Sequence, residues 1–119
     1  MSYNTANKTW RSTCPVACTL DIVGDKWTLL IVRDLFVGKK TYGEFQNAPE
    51  KIPTNILADR LKRLQEHGIV SKHPYQERPL RYEYLLTPKG RELGAVLKAM
   101  VKWGEKHVPG SKAMRSLGQ

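Results

Sequence analysis

Cysteine is scarce in this 119-residue chain, with only Cys14 and Cys18 present. Two thiols so close together exclude the disulfide framework of a small secreted domain. Long hydrophobic runs are missing too. Leu29-Leu30-Ile31-Val32, after Trp27, is cut off by Arg33 and Asp34, far short of the roughly 20 residues that cross a bilayer. The opening Met1 to Lys8 has no apolar stretch of the kind a secretion signal needs, so the expectation is a cytoplasmic protein without membrane contact. No Gly-rich phosphate loop, paired-carboxylate cleft or Ser-centred elbow is present, which argues against an enzyme. His67, His73 and His107 are scattered and expected at the surface, and Cys14-x-x-x-Cys18 lacks a second ligand pair. No metal and no cofactor are therefore expected. Acidic residues are the last scarcity: 11 Asp plus Glu against 20 Lys plus Arg, a net charge of +9. Such an excess concentrates polyanions, nucleic acid first among them.

What is present is well punctuated. The length suits one domain, with residues 1–13 expected as a flexible polar arm, 14–107 as the folded unit and 108–119 as a loose basic tail. Pro15 opens a short helix that Gly24 ends. Asp25 can cap a second helix, Lys26 to Val37, apolar on nearly all sides and so buried. Thr41-Tyr42-Gly43-Glu44 fits a capping box for a third, short helix with Tyr42 and Phe45 inward. A fourth runs from Pro53 to His67 with Leu57, Leu61 and Leu64 in one stripe and Gly68 as its stop. Ile69 to Tyr75 and Arg81 to Leu86 alternate as strands around a loop over 76–80, with Pro79 kept out of the ladder. Thr87-Pro88 then starts one long helix that Pro109 ends, with Lys106 and His107 in its last turn. The fold class is mainly α with a small β-hairpin wing, a winged helix-turn-helix.

In that arrangement the second helix of the pair enters the major groove, led by its first turn. Thr54 and Asn55 occupy that turn. Asn pairs with adenine in a bidentate fashion, and Thr bonds a base edge or packs on a thymine methyl. Ala58 permits close approach, while Lys62 and Arg63 suit phosphate or guanine. Asp59 either accepts from cytosine N4 or orients a neighbouring Arg. At the hairpin tip Arg78 and Arg81 suit a minor groove or phosphate, although Arg81 can equally pair with Glu77 or Glu83. Lys39 and Lys40 can reach phosphates, and the Thr41 hydroxyl either caps its helix or joins them. A charged helix face is by itself most often only solvated; the succession of capped helix, turn, polar-fronted helix and Arg-bearing hairpin favours duplex DNA as the partner.

Cys14-Pro15-Val16, Gly24-Asp25-Lys26-Trp27-Thr28-Leu29-Leu30-Ile31, Arg33-Asp34-Leu35, Phe45, Leu57-x-x-Arg60-Leu61-x-x-Leu64, Gly68-Ile69-Val70, Tyr82-Glu83-Tyr84-x-Leu86-Thr87-Pro88-x-Gly90 and Trp103-Gly104 together resemble the HxlR-type regulators. The match runs over residues 14 to 107. The resemblance implies a MarR-like transcriptional regulator, expected as a repressor, that binds an inverted repeat as a homodimer with its first and last helices paired across the two-fold. Leu93, Val96, Leu97, Met100, Val101 and Trp103 form the apolar stripe expected at that interface, with part of it folding onto the protomer's own core. Arg60 matches a family position and is expected to brace the fold. Pro53 stands where relatives often carry a small capping residue, and Arg78-Pro79-Leu80 where a double proline is common. Some relatives sense oxidants or electrophiles through a cysteine at the position of Cys14, whose place at a helix N-terminus favours the thiolate; Cys14 and Cys18 can equally be small buried hydrophobes. The effector is not named by any residue set. The rival reading is a winged-helix module for protein contact or nonspecific nucleic-acid binding.

Overall fold

A computed structural model describes residues 10–113, with the chain order α1 (Pro15–Val23), α2 (Thr28–Phe36), α3 (Tyr42–Gln46), α4 (Thr54–Glu66), β1 (Val70–Glu77), β2 (Leu80–Leu86), α5 (Pro88–Arg91) and α6 (Gly94–His107). Most of the expected polar arm, residues 1–9, and the second half of the expected tail, 114–119, lie outside the described residues.

The core gathers where the apolar stripes meet. Ile31 and Val32 of α2, Phe45 of α3, Leu57, Leu61 and Leu64 of α4, Ile69 and Val70 at the entry to β1, and Leu97 of α6 form one buried cluster. α2 is central, but less uniformly enclosed than its apolar run suggests: Leu29 and Leu30 are half-buried. It also starts later than expected, at Thr28. Asp25 still supplies the cap, its carboxylate accepting from the N–H groups of Trp27 (3.1 Å) and Thr28 (3.2 Å) and from the Thr28 hydroxyl. These are donors the first turn of a helix otherwise leaves orphaned.

Two close approaches shape the rest. Gly68 adopts φ 72 after α4, a left-handed conformation that glycine enters at little cost. The next N–H, of Ile69, returns to the Leu64 carbonyl at 2.9 Å, and β1 leaves directly from this stop. Gly90 lies against the Ile69 carbonyl, where an added Cβ would sit 2.1 Å from the oxygen. The Thr87 hydroxyl donates to the Gly68 and Ile69 carbonyls and accepts from the Gly90 N–H, so the same residue caps α5 and clamps it to this corner.

That docking breaks the single long helix expected from Pro88 onward. Glu92 N–H and Leu93 N–H bond back only three residues, to the Lys89 and Gly90 carbonyls, before Leu97 N–H resumes the four-residue pattern on Leu93. α5 and α6 are therefore separate. Gly94, at the start of α6, sits within 3.1 Å of the Phe36 ring for an added Cβ, which brings α6 tightly onto α2.

The hairpin is antiparallel, with Val70 facing Leu86 and Glu77 facing Leu80 and a register irregularity between Pro74 and Gln76. Its strands extend further than expected, leaving only Arg78-Pro79 as the turn; that peptide bond is cis. Lys40 joins the hairpin through its carbonyl, which accepts from Tyr84 N–H at 2.8 Å. His67 corrects the expectation of surface histidines: it is buried at the end of α4, and its carbonyl accepts from Lys89 Nζ at 2.7 Å. Beyond α6, Ser111 Oγ donates to the Gly104 carbonyl and Ala113 N–H to Glu105, so residues 111–113 fold back along the helix.

Candidate nucleic-acid interface

α3 and α4 are joined by a short turn over residues 47–53, passing through Lys51 at φ 54. The capping box on α3 is complete: the Thr41 hydroxyl accepts from Glu44 N–H, and the Glu44 carboxylate accepts from Thr41 N–H. The same carboxylate accepts from Lys40 N–H. These backbone donors, Lys40 first, hold the Glu44 carboxyl below its ordinary pKa. The Thr41 hydroxyl is thus engaged as a cap, one of its two expected roles.

The start of α4 has no side-chain cap, since Pro53 occupies the N-cap position. It is held from α3 instead. Tyr42 Oη donates to the Thr54 carbonyl at 2.7 Å, and Gln46 Nε2 donates to Thr54 Oγ1 at 3.3 Å. This pair locks the two helices of the motif together. Neither role was visible in the sequence, because the contacts span 12 and 8 residues across a turn whose path no local pattern dictates.

From this anchored start α4 turns Leu57, Leu61 and Leu64 into the core and leaves Thr54, Asn55, Ala58, Asp59 and Lys62 exposed, with Arg63 half-buried on the flank. Asp59 pairs with Arg60 Nη1. Arg60 Nε reaches Asp25 Oδ2 at 2.8 Å, bracing α4 against the start of α2. Partial burial pushes the Asp25 carboxyl up, but bonds from the Thr28 hydroxyl, Arg60 and Trp27 N–H outweigh it and hold the pKa at about 2.

On the wing Arg78 and Arg81 are exposed, and neither makes an ion pair among the described residues. Arg81 faces Gln76 across the hairpin, and it pairs with neither Glu77 nor Glu83 among the described residues. Lys40 is exposed and Lys39 half-buried, the latter turning its ammonium toward the buried Asp34 carboxylate at 3.8 Å. Asp34 is held chiefly by Arg33, which also grips Glu50 with two bonds of 2.7 and 2.8 Å. Burial nevertheless leaves Asp34 above its ordinary pKa despite Arg33 and Lys39. The network fixes the turn before α4 to α2.

The expected dimer stripe divides by helical angle. Leu93, Leu97 and Val101 pack on the protomer's own core, Leu97 with 6% exposure. Val96, Met100 and Trp103 face outward, the last two 53% and 64% exposed. α1 adds Val16 and Leu20, 66% and 52% exposed, one turn apart. At the start of α1, Cys14 is exposed, and the N–H groups of Ala17 and then Val16 hold its thiol below the ordinary value. Cys18 is half-buried and donates to the Ser12 carbonyl at 3.3 Å. No helix is long and apolar enough to cross a membrane, and no cluster of metal-ligating side chains occurs, among the described residues.

This geometry has close parallels. An HTH-type transcriptional regulator of Synechocystis sp. is 41% identical over 91 residues, 76% of this chain and 67% of that one. The crystal structure of the transcription factor PA1607 superposes with a TM-score of 0.77 at 44% identity, covering 88% of this chain and 74% of the other. The redox regulator HypR in its oxidised form gives a TM-score of 0.72 at 34% identity, covering 85% of this chain and all of its own (100%). The HxlR-like helix-turn-helix profile matches residues 22–112, and the chain belongs to that family of winged-helix transcriptional regulators.

Proposed function

We propose that this protein is a homodimeric repressor that binds an inverted repeat in double-stranded DNA. The observation that carries the reading is the outward face of α4: its first turn, pinned by Tyr42 and Gln46, presents Thr54 and Asn55 to solvent beside Ala58 and Lys62. An exposed amide on an anchored helix start suits adenine, and Ala58 lets the helix approach the groove floor. Lys40, Lys62, Arg63, Arg78 and Arg81 supply phosphate contacts, with Arg78 and Arg81 extending them along the wing. Lys39 and Asp59 begin from intramolecular pairs, and Thr41 contributes by capping. Val16 and Leu20 with Val96, Met100 and Trp103 provide the apolar faces that two protomers bury.

The test is retention of the protein's own upstream DNA against an excess of bulk duplex. Selective retention that Asn55→Ala abolishes supports the reading. Equal competition by bulk DNA would leave a nonspecific or protein-contact module instead.

A regulatory reading attaches to Cys14, favoured by its exposure, its lowered pKa and the similarity to a redox regulator. We infer that oxidation or alkylation of this thiol changes the dimer and its DNA affinity. Peroxide should shift wild-type binding and leave Cys14→Ser unmoved. If wild type ignores both peroxide and an alkylating agent, Cys14 is no sensor.

A further inference from the structure

The exposed face of α4 carries a carboxylate where DNA phosphates repel one. Asp59 lies one turn beyond Asn55, and its side chain is 53% exposed. It is not loose. Arg60 Nη1 donates to Asp59 Oδ2, while Arg60 Nε donates to Asp25 Oδ2 at 2.8 Å. Asp25 is fixed in turn by two backbone N–H groups and the hydroxyl of Thr28 at the head of α2. A chain of charged hydrogen bonds therefore runs from the protein body to the outer face of α4. Its inner members are well covered, with the Arg60 and Asp25 side chains only 21% and 23% exposed.

One guanidinium shared by two carboxylates leaves the triad with one net negative charge. Asp59 Oδ1 accepts no hydrogen bond among the described residues, so acceptor capacity remains on the outward side. In the major groove a carboxylate is complementary only to amino edges. It is repelled by guanine O6 and N7 and by thymine O4, and adenine N6 is flanked by the N7 acceptor. Cytosine N4 is the donor that best fits. Holding the carboxylate in place beforehand reduces the side-chain entropy lost on binding.

Resting on the reading of α4 as the recognition helix, we propose that Asp59 is a base-reading residue that accepts from a cytosine N4 amino group in each half-site, and that Arg60, anchored on Asp25, is its positioning residue. Asp59 thus contributes selectivity, and the surrounding Lys and Arg residues contribute attraction. Its removal should relax one base preference without weakening general DNA affinity.

The experiment uses the full-length protein and selection from a randomised duplex pool, followed by affinity measurements on the selected site with each base pair substituted in turn. Wild type should select a C·G pair at one position per half-site. Asp59→Asn should lose roughly tenfold discrimination there, within the range typical of a single base contact. Preferences elsewhere and the salt dependence should be preserved. Arg60→Lys should blunt the same position alone, and the double variant should lose little more than Asp59→Asn, because both changes act on one interaction. If Arg60→Lys unfolds, Asp59→Asn decides alone, since it removes no core contact. Unchanged preference at every position in Asp59→Asn would overturn the proposal, and so would equal loss at all positions. If wild type selects no sequence, the proposal falls together with the recognition-helix reading; selection by wild type that Asp59→Asn leaves intact sinks only the proposal.

Discussion

Single side chains in this protein divide between holding and reaching, and their surroundings decide which. Asp25, Arg33, Asp34, Glu50 and Arg60 are joined to one another or to backbone, whereas Asn55, Lys62, Arg78 and Arg81 face outward. Removing Arg33 would strand the buried Asp34 carboxylate, so Arg33→Met should destabilise the fold by about 3 kcal/mol, read as a fall in Tm. Leu57, fully buried at 0% exposure, should cost about 2–5 kcal/mol on replacement by Ala. Asp25 supplies a pH signature. Its folded pKa of about 2 lies below the ordinary carboxylate value of 3.8, so its stabilisation is present above pH 4 and fades as pH falls toward 2. After allowance for solvent screening the effect is on the order of 1 kcal/mol. Asp25→Asn should lose stability at neutral pH and show a flatter acid limb in denaturant titrations between pH 4 and 2.

Among the elements, those with local punctuation were legible in the chain and those shaped by distant contacts were not. Pro15, the Thr41–Glu44 box and Gly68 mark ends that depend on a few neighbouring backbone groups, and the structure puts them there. The α5–α6 break was hidden, because it follows from Gly90 pressing on Ile69 and Gly94 on Phe36. Apolar spacing along residues 93–103 marks one face but not which atoms find a partner inside the protomer, so Leu97 and Trp103 looked alike. The outward residues of α4 followed from its Leu stripe; the clamps on its start, Tyr42 and Gln46, needed the path of the turn. Tyr42→Phe should therefore lower specific DNA affinity more than it lowers Tm, since the lost hydroxyl positions the reading turn while the ring stays. On the wing, Arg78→Ala and Arg81→Ala should each weaken binding to all duplexes alike and reduce the slope of log K against log salt by about 1.

The described molecule is extended for its size. Its radius of gyration is 15.1 Å, with extents of 47 × 36 × 25 Å, against about 13 Å for a compact domain of a hundred residues. The long wing and the apolar outer face of α6 both suit the proposed pairing with a second copy and with DNA. Burying Met100 and Trp103 against a partner predicts that Met100→Glu yields a folded monomer by sedimentation, with operator affinity sharply reduced because one protomer holds only half the contacts. The most direct measurement of the central claim is a hydroxyl-radical footprint of the wild-type protein on its selected site. Two protected clusters related by symmetry and centred roughly one helical turn apart, about 34 Å, with protection lost in Asn55→Ala, are the predicted result. A single unsymmetrical cluster, or protection that follows no sequence, would contradict it.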